Sequence, residues 1–119
     1  MVIKPEPAPA LYDHLMELHG QMFTAERFEA AYHVLAAALH VAEELDDVER
    51  LSAIGLLATN RQAHVDRARP VHVMSSGSAT ARGNTARFAA LALTARAACG
   101  RINADKVVKR ARSARDSSP

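Results

Sequence analysis

The feature that most constrains the fold of this chain is a set of three apolar stripes between residues 15 and 55. Members of each stripe recur at intervals of three and four residues, the spacing that places side chains on one face of an α-helix. They are Leu15, Leu18 and Met22; then Phe28, Ala31, Leu35 and Ala38; then Leu51, Ile54 and Gly55. A helix with one apolar face packs that face against a neighbour. The stripes therefore predict helices that lie side by side.

The composition strengthens the helical interpretation. Hydrophobic residues make up 49% of the 119-residue chain, but aromatic residues make up only 4% and Trp is absent. Alanine is abundant, and it favours helix because its side chain loses no rotamer entropy there. A chain of this length fits one compact domain. We therefore expect an all-α fold of four to five helices.

Local signals in the first half predict where the helices begin and end. We expect the first helix over residues 9–19, with Gly20 as the residue that turns the chain at its end. Thr24 is predicted to cap the start of the second helix, because its hydroxyl can accept a free backbone N–H group. Asp46 with Glu49 three residues later fits a capping box that begins the third helix.

The second half begins with a long segment of loop composition over residues 70–83. Such a loop, fully extended, spans on the order of 40 Å, so it leaves the direction of the next helix open. Asn84 is predicted to cap a fourth helix that ends at Gly100, and Asn103 to begin a short fifth one. The domain organisation we expect is a disordered N-terminus over residues 1–8, one helical domain over residues 9–114 and a disordered tail over residues 115–119.

The first two stripes resemble the tetratricopeptide repeat, in which a helix with a Leu-Gly-like pair precedes a helix with aromatic-x-x-Ala spacing. Leu18 and His19 stand at the first pair, and Phe28 and Ala31 begin the second pattern. The similarity covers residues 11–58, and His19 replaces the usual glycine. It implies stacked antiparallel helical hairpins that bind other proteins. The same helices also fit a plain four-helix bundle.

Some members of that family bind a peptide carboxylate through Lys and Asn on their first helices. The matching positions of this chain carry other side chains, namely Met16, Gly20, Ser52 and Leu56. The resemblance therefore implies a protein-binding platform without this carboxylate clamp.

Charge is distributed unevenly along the chain. Residues 1–50 hold three basic and ten acidic side chains, a net −7, whereas residues 51–119 hold twelve basic and three acidic ones, a net +9. One interpretation is that the two halves face each other within the fold or across a homodimer. The alternative is that the basic half binds nucleic acid through phosphate contacts. The residues predicted for that role are Arg101, Lys106, Lys109, Arg110 and Arg112.

Metal binding is a second alternative, on one side of the second helix. Each of two histidines lies four residues from a glutamate, as in a two-ligand clip; the residues are Glu29, His33, His40 and Glu44. The histidines are separated by about 10.5 Å of helix, so each half would need ligands from another helix. A solvated polar face is the preferred interpretation. We expect no cofactor.

The leading hypothesis is a non-enzymatic module for protein–protein interaction or self-association. Helices one and three are expected to line its binding groove, and the predicted contact residues are Asn60, Arg61, His64 and Arg67. The single cysteine, Cys99, has no partner for an internal disulfide. Because disulfides are rare in the cytosol, we expect a cytoplasmic protein. No apolar run approaches the length of a membrane span.

Overall fold

The all-α prediction is confirmed. The computed structural model describes residues 7–117, and within that range five helices and no strand are present. In chain order they are α1 (Ala8–Thr24), α2 (Phe28–Glu44), α3 (Val48–Ala68), α4 (Ser76–Ala81) and α5 (Arg87–Asp116). None of the helices of the described range is both long and apolar enough to cross a membrane.

The helices pack mainly as two pairs, α1 with α2 and α3 with α5, and α2 contacts both members of the second pair. The turn over residues 25–27 makes α1 and α2 antiparallel. The second pair is antiparallel as well, because the Cys99 thiol lies 3.7 Å from the carbonyl oxygen of Val48 at the start of α3. This fixes the helix direction that the loop length had left open.

The core contains the second and third predicted stripes. Its largest fully buried apolar side chains come from α2, α3 and α5 and are Phe28, Leu35, Leu39, Leu51, Ile54, Val65 and Phe88. Two residues of the stripe predicted for α1, Leu15 and Met22, are partly buried against the core, but Leu18 is 40% exposed. The residues that α1 buries fully are Tyr12, His19 and Phe23. These three follow heptad spacing, and Leu18 lies outside the face that they form.

Two predicted boundaries of the first half are wrong for one reason. The α1 helix continues through Gly20, and Thr24 is its last residue rather than the cap of α2. Burial of Phe23, one turn beyond Gly20, stabilises the added turn and outweighs the low helix propensity of glycine. The chain turns instead at Glu26, which has a φ of 60°.

The turn between α2 and α3 repeats the same geometry. Asp46 takes a φ of 50° and donates its N–H to the Glu43 carbonyl, while Asp47 donates to the Ala42 carbonyl. This is the Schellman pattern of helix termination. The cap of α3 is Asp47, whose side chain accepts from the Arg50 N–H. The prediction that Asp46 caps this helix is therefore wrong by one residue.

The segment predicted as a loop over residues 70–83 contains α4, which begins where the Ser75 hydroxyl accepts the Ser78 N–H. Asn84 does not cap the next helix, because α5 begins after Ala86. The predicted break at Gly100 is also wrong. Burial of Ile102 beyond Gly100 stabilises a continuous α5.

The predicted disordered ends lie largely outside the described residues, which exclude residues 1–6 and 118–119. Within the described range, Ala8 already belongs to α1 and α5 extends to Asp116. The helices therefore reach further toward both ends than the predicted domain limits of 9 and 114.

Candidate interaction surface

A buried polar pair joins three helices at the centre of the molecule. His19 is 1% exposed, and its Nδ1 lies 2.8 Å from the Ala31 carbonyl oxygen. A carbonyl oxygen only accepts, so Nδ1 carries the proton and donates to it. The Arg61 Nε donates to the His19 Nε2 over 3.1 Å. His19 is therefore neutral in this arrangement, because its second nitrogen accepts.

Aromatic rings surround this pair. The Arg61 guanidinium carbon lies 4.2 Å from the centroid of the Phe23 ring, and the His64 ring lies 5.2 Å from it. Burial lowers the pKa of His19, the Ala31 hydrogen bond opposes that shift, and nearby Arg61 adds to it. Burial also lowers the pKa of Arg61. These groups hold α1 against α2 and α3.

The predicted contact residues of α3 differ in their contacts. Arg61 and His64 both contact the Phe23 ring. Asn60 and Arg67 make no side-chain hydrogen bond or ion pair among the residues that the structure describes. All four lie along one side of α3, where Arg61 is half-buried and the other three are exposed.

A second polar network fixes the connection between α3 and α5. The Gln62 amide donates to the Asp66 carboxylate and to the Met74 carbonyl, each over 3.0 Å. Asp66 also accepts from the backbone N–H and hydroxyl of Ser76. Burial raises the pKa of Asp66, but the Ser76 and Gln62 hydrogen bonds outweigh it, so the pKa is lowered overall. The Gln62 Oε1 is buried and has no partner among the described residues.

An open groove follows the seam between α3 and α5 on the side that faces solvent. It consists of two adjoining depressions of about 380 and 360 Å³, which share Thr59 and Arg96. The first depression is deepened at Gly55, which has no side chain to fill it. A Cβ added at this position would lie 3.4 Å from the Ala95 Cβ. Leu56 is 67% exposed at one rim. Gln62, with its unpartnered oxygen, lines the second depression.

The outward side of α5 continues the groove as an exposed stripe. Its residues recur at intervals of four, three, four, three and four, and all are exposed: Leu93, Ala97, Gly100, Ala104, Val107 and Ala111. Leu93 and Val107 are 58% and 64% exposed, large fractions for such side chains. We call this stripe together with the adjoining groove the outer α5 face. Every residue of α5 beyond Ile102 in the described range is exposed, so the last four turns of the helix extend beyond the buried core.

The residues of the nucleic-acid alternative lie along the same helix. Arg101 forms an ion pair with Glu43 over 3.1 Å. The others are exposed on the last turns of α5 and form no ion pair with any residue in the described range: Lys106, Lys109, Arg110 and Arg112.

The residues of the metal alternative have other contacts. Glu29 forms an ion pair with Arg87, and His40 lies 3.9 Å from Glu43. Among the described residues no group of three or more His, Cys, Asp or Glu side chains is close enough to hold an ion. His33 and Glu44 are exposed on α2.

Acidic and basic halves of the chain face each other within one molecule. Among the described residues, exposed ion pairs connect them and join Glu26 to Arg69, Glu29 to Arg87 and Glu43 to Arg101. This corresponds to the first of the two interpretations of the uneven charge.

The chain matches no protein-family model, no curated protein and no solved structure. Sequence reasoning missed the outer α5 face because it divided α5 at Gly100. The alternating four- and three-residue spacing from Leu93 to Ala111 was the signal that could have revealed it.

Proposed function

We propose that this chain is a protein-interaction module that binds a helical segment of its partner along the outer α5 face. The observation that carries the proposal is the exposure of Val107 and the whole apolar stripe on a helix that extends beyond the core. The spacing of the stripe is that of the buried seam of a coiled coil. A second helix laid along it would cover these side chains.

The energetics of the last turns of α5 support this proposal. Most of the stability of a helix in a protein comes from the packing of one face rather than from helix propensity. Residues 103–116 extend α5 as regular helix, and each of them is exposed. A partner helix would supply the missing packing. Small residues such as Gly100 and Ala104 would let the two helix axes approach closely.

We also propose that the two helix pairs are related to the stacked hairpins of tetratricopeptide repeats. The pairing of α1 with α2 and of α3 with α5 supports this relation. Under this proposal the α4 segment over residues 76–81 is an insertion in the second hairpin. The binding surface would lie on the outer side of α5.

A photo-crosslinking amino acid tests the proposed binding surface in the cell that naturally makes the protein. We expect Val107 replaced by p-benzoylphenylalanine to give a discrete protein adduct. The matched control places the same residue at Lys109, which is also exposed but lies on another side of α5. An adduct from position 109 alone, or none from position 107, would contradict the proposal. A Leu93→Asp change should remove the adduct from position 107.

Nucleic-acid binding is a second candidate, favoured by the unpaired cations Lys106 and Lys109 on the extended part of α5. A mobility-shift assay with duplex and single-stranded DNA at low salt tests it. Binding that weakens steeply with salt and requires both lysines would support this candidate. An absence of any shift at low salt would contradict it.

A further inference from the structure

The positions that flank the apolar stripe of α5 carry charge of one sign. When the stripe residues are assigned to the a and d positions of a heptad, the flanking e and g positions follow directly. They hold Thr94, Arg96, Arg101, Asn103, Val108, Arg110 and Arg115. Four of these are arginines and none is acidic. The two acidic residues near this end, Asp105 and Asp116, stand at other positions of the heptad.

We propose that the occupant of the outer α5 face is an acidic amphipathic helix of another protein. This inference rests on the proposed function and names the partner by its chemistry. Residues at e and g lie beside the seam and face the charges of the neighbouring helix, so they determine which partner is accepted. Glutamate or aspartate at the partner's flanking positions would pair with Arg96, Arg110 and Arg115, none of which forms an ion pair within the described chain.

A second copy of this chain fits the face less well. In a parallel pair of α5 helices the g residues of one face the e residues of the other, and in an antiparallel pair like positions face each other. Both arrangements oppose arginine to arginine, since no acidic residue occupies e or g. Repulsion of like charges at these positions therefore disfavours the homodimer.

The wall of the groove at the start of the stripe contains one unpaired polar atom. Gln62 is 6% exposed and lines the groove with Leu93 and Arg96, and its Oε1 accepts no hydrogen bond in the described structure. Its amide nitrogen donates to two acceptors, which fix the orientation of the amide. The oxygen is itself buried, so the contacts available to a docked helix are those of the apolar stripe and the flanking arginines.

Nucleic acid is disfavoured on this face. Phosphates would pair with the arginines but would leave Leu93 and Val107 exposed to water. No aromatic residue follows Phe88 in the chain, so none is present to stack on bases. An acidic helix uses both the charges and the apolar stripe.

A fluorescent synthetic peptide tests the inference directly. The probe is a 21-residue helix with Leu and Ala at a and d and Glu at e and g; its counterpart has Lys at e and g. Fluorescence anisotropy should show binding of the acidic peptide only, weakening as salt rises. The double variant R96E/R110E should lose at least tenfold in affinity for the acidic peptide and should gain binding to the basic one. Gain of binding requires a folded protein, so misfolding cannot produce that result.

The matched control is K106E/K109E, which changes net charge by the same amount at positions away from the seam. It should retain affinity for the acidic peptide within about threefold. An equal loss in the control and in R96E/R110E would overturn the inference, since it would show attraction by net charge alone. Tighter binding of duplex DNA than of the acidic peptide would also overturn it.

Sedimentation velocity at about 100 µM decides between the acidic helix and a second copy. We expect a monomer. A dimer that is lost in Leu93→Asp would overturn the choice of occupant but would leave the outer α5 face as a binding surface. Failure of the acidic peptide together with a specific crosslink at position 107 would likewise reject the partner chemistry while keeping the proposed function.

Discussion

His19 shows how one residue can define the packing of several helices. In the tetratricopeptide-repeat pattern its position usually holds glycine. The ring of His19 is buried and forms hydrogen bonds with α2 and α3. Its ring centroid lies 6.0 Å from that of Phe23 and 6.3 Å from that of Phe88. Helical spacing alone could not predict this, because a histidine is as compatible with a solvated face as with a buried one.

Burial of neutral His19 makes stability depend on pH. Its pKa in the folded protein lies below the ordinary 6.5, so the unfolded chain binds the proton more tightly. The free energy of unfolding should be constant above about pH 6.5 and should fall as pH drops from there toward the lowered pKa. Urea unfolding should therefore show a lower midpoint at pH 5 than at pH 7.5.

The variant His19→Gln should reduce this difference between the two pH values, whatever its effect on absolute stability. The control His33→Gln changes an exposed histidine of α2 and should retain the wild-type difference. An undiminished pH difference in His19→Gln would show that another group is responsible.

At the scale of the elements, the two short turns illustrate how local chemistry can mislead. Glycine is the residue expected in the left-handed conformation at a helix end. Within residues 7–117 the turn after α4 alone follows that rule, with Gly83 at a φ of 73°. The turns after α1 and α2 place Glu26 and Asp46 there instead. The prediction that α1 ends at Gly20 therefore placed the end of this helix too early.

Adjacent substitutions in the second turn should have opposite effects on stability. Asp46→Gly should raise the free energy of unfolding by up to about 1 kcal/mol, because glycine adopts the left-handed conformation without strain. Asp47→Ala should lower it by about 1 kcal/mol, because α3 loses the side chain that caps it. Chemical denaturation of both variants measures the two changes. If both variants changed the free energy of unfolding in the same direction, the roles assigned to Asp46 and Asp47 would be contradicted.

The helices themselves could be predicted from sequence more reliably than their ends. The stripes of α2 and α3 identified buried residues such as Leu35 and Ile54, because their period corresponds to one helix face. The breaks predicted at Gly20 and Gly100 were wrong, because burial of Phe23 and Ile102 outweighs local propensity. Tertiary packing of this kind cannot be inferred from residues considered one turn at a time.

At the scale of the whole molecule, some charged side chains pair within the fold and others stand unpaired on its surface. The three ion pairs between the acidic and basic halves are exposed, so each contributes at most about 1 kcal/mol. Arg96 and Arg110, by contrast, form no ion pair within the described chain and stand beside the apolar stripe of α5. Part of the unpaired positive charge therefore stands beside the proposed docking surface.

The sequence predicted some residues near the proposed site and missed others. The basic residues from Arg101 to Arg112 were identified, but the stripe between them was missed when the helix was divided at Gly100. The contact residues predicted on α3 included Arg61, which the structure places over the Phe23 ring. A sequence gives the charge of a residue directly, whereas the face that it occupies depends on the rotation of its helix.

Amide hydrogen exchange along α5 tests the central claim most directly. In the isolated protein we expect slow exchange over residues 87–102, which pack on the core, and fast exchange over residues 103–116. Saturation with the acidic peptide should slow exchange in residues 103–116 and leave α1 unchanged. The claim that the outer α5 face is the binding surface would be contradicted if the peptide bound but slowed exchange only elsewhere, for example near Leu11 and Leu18 of α1.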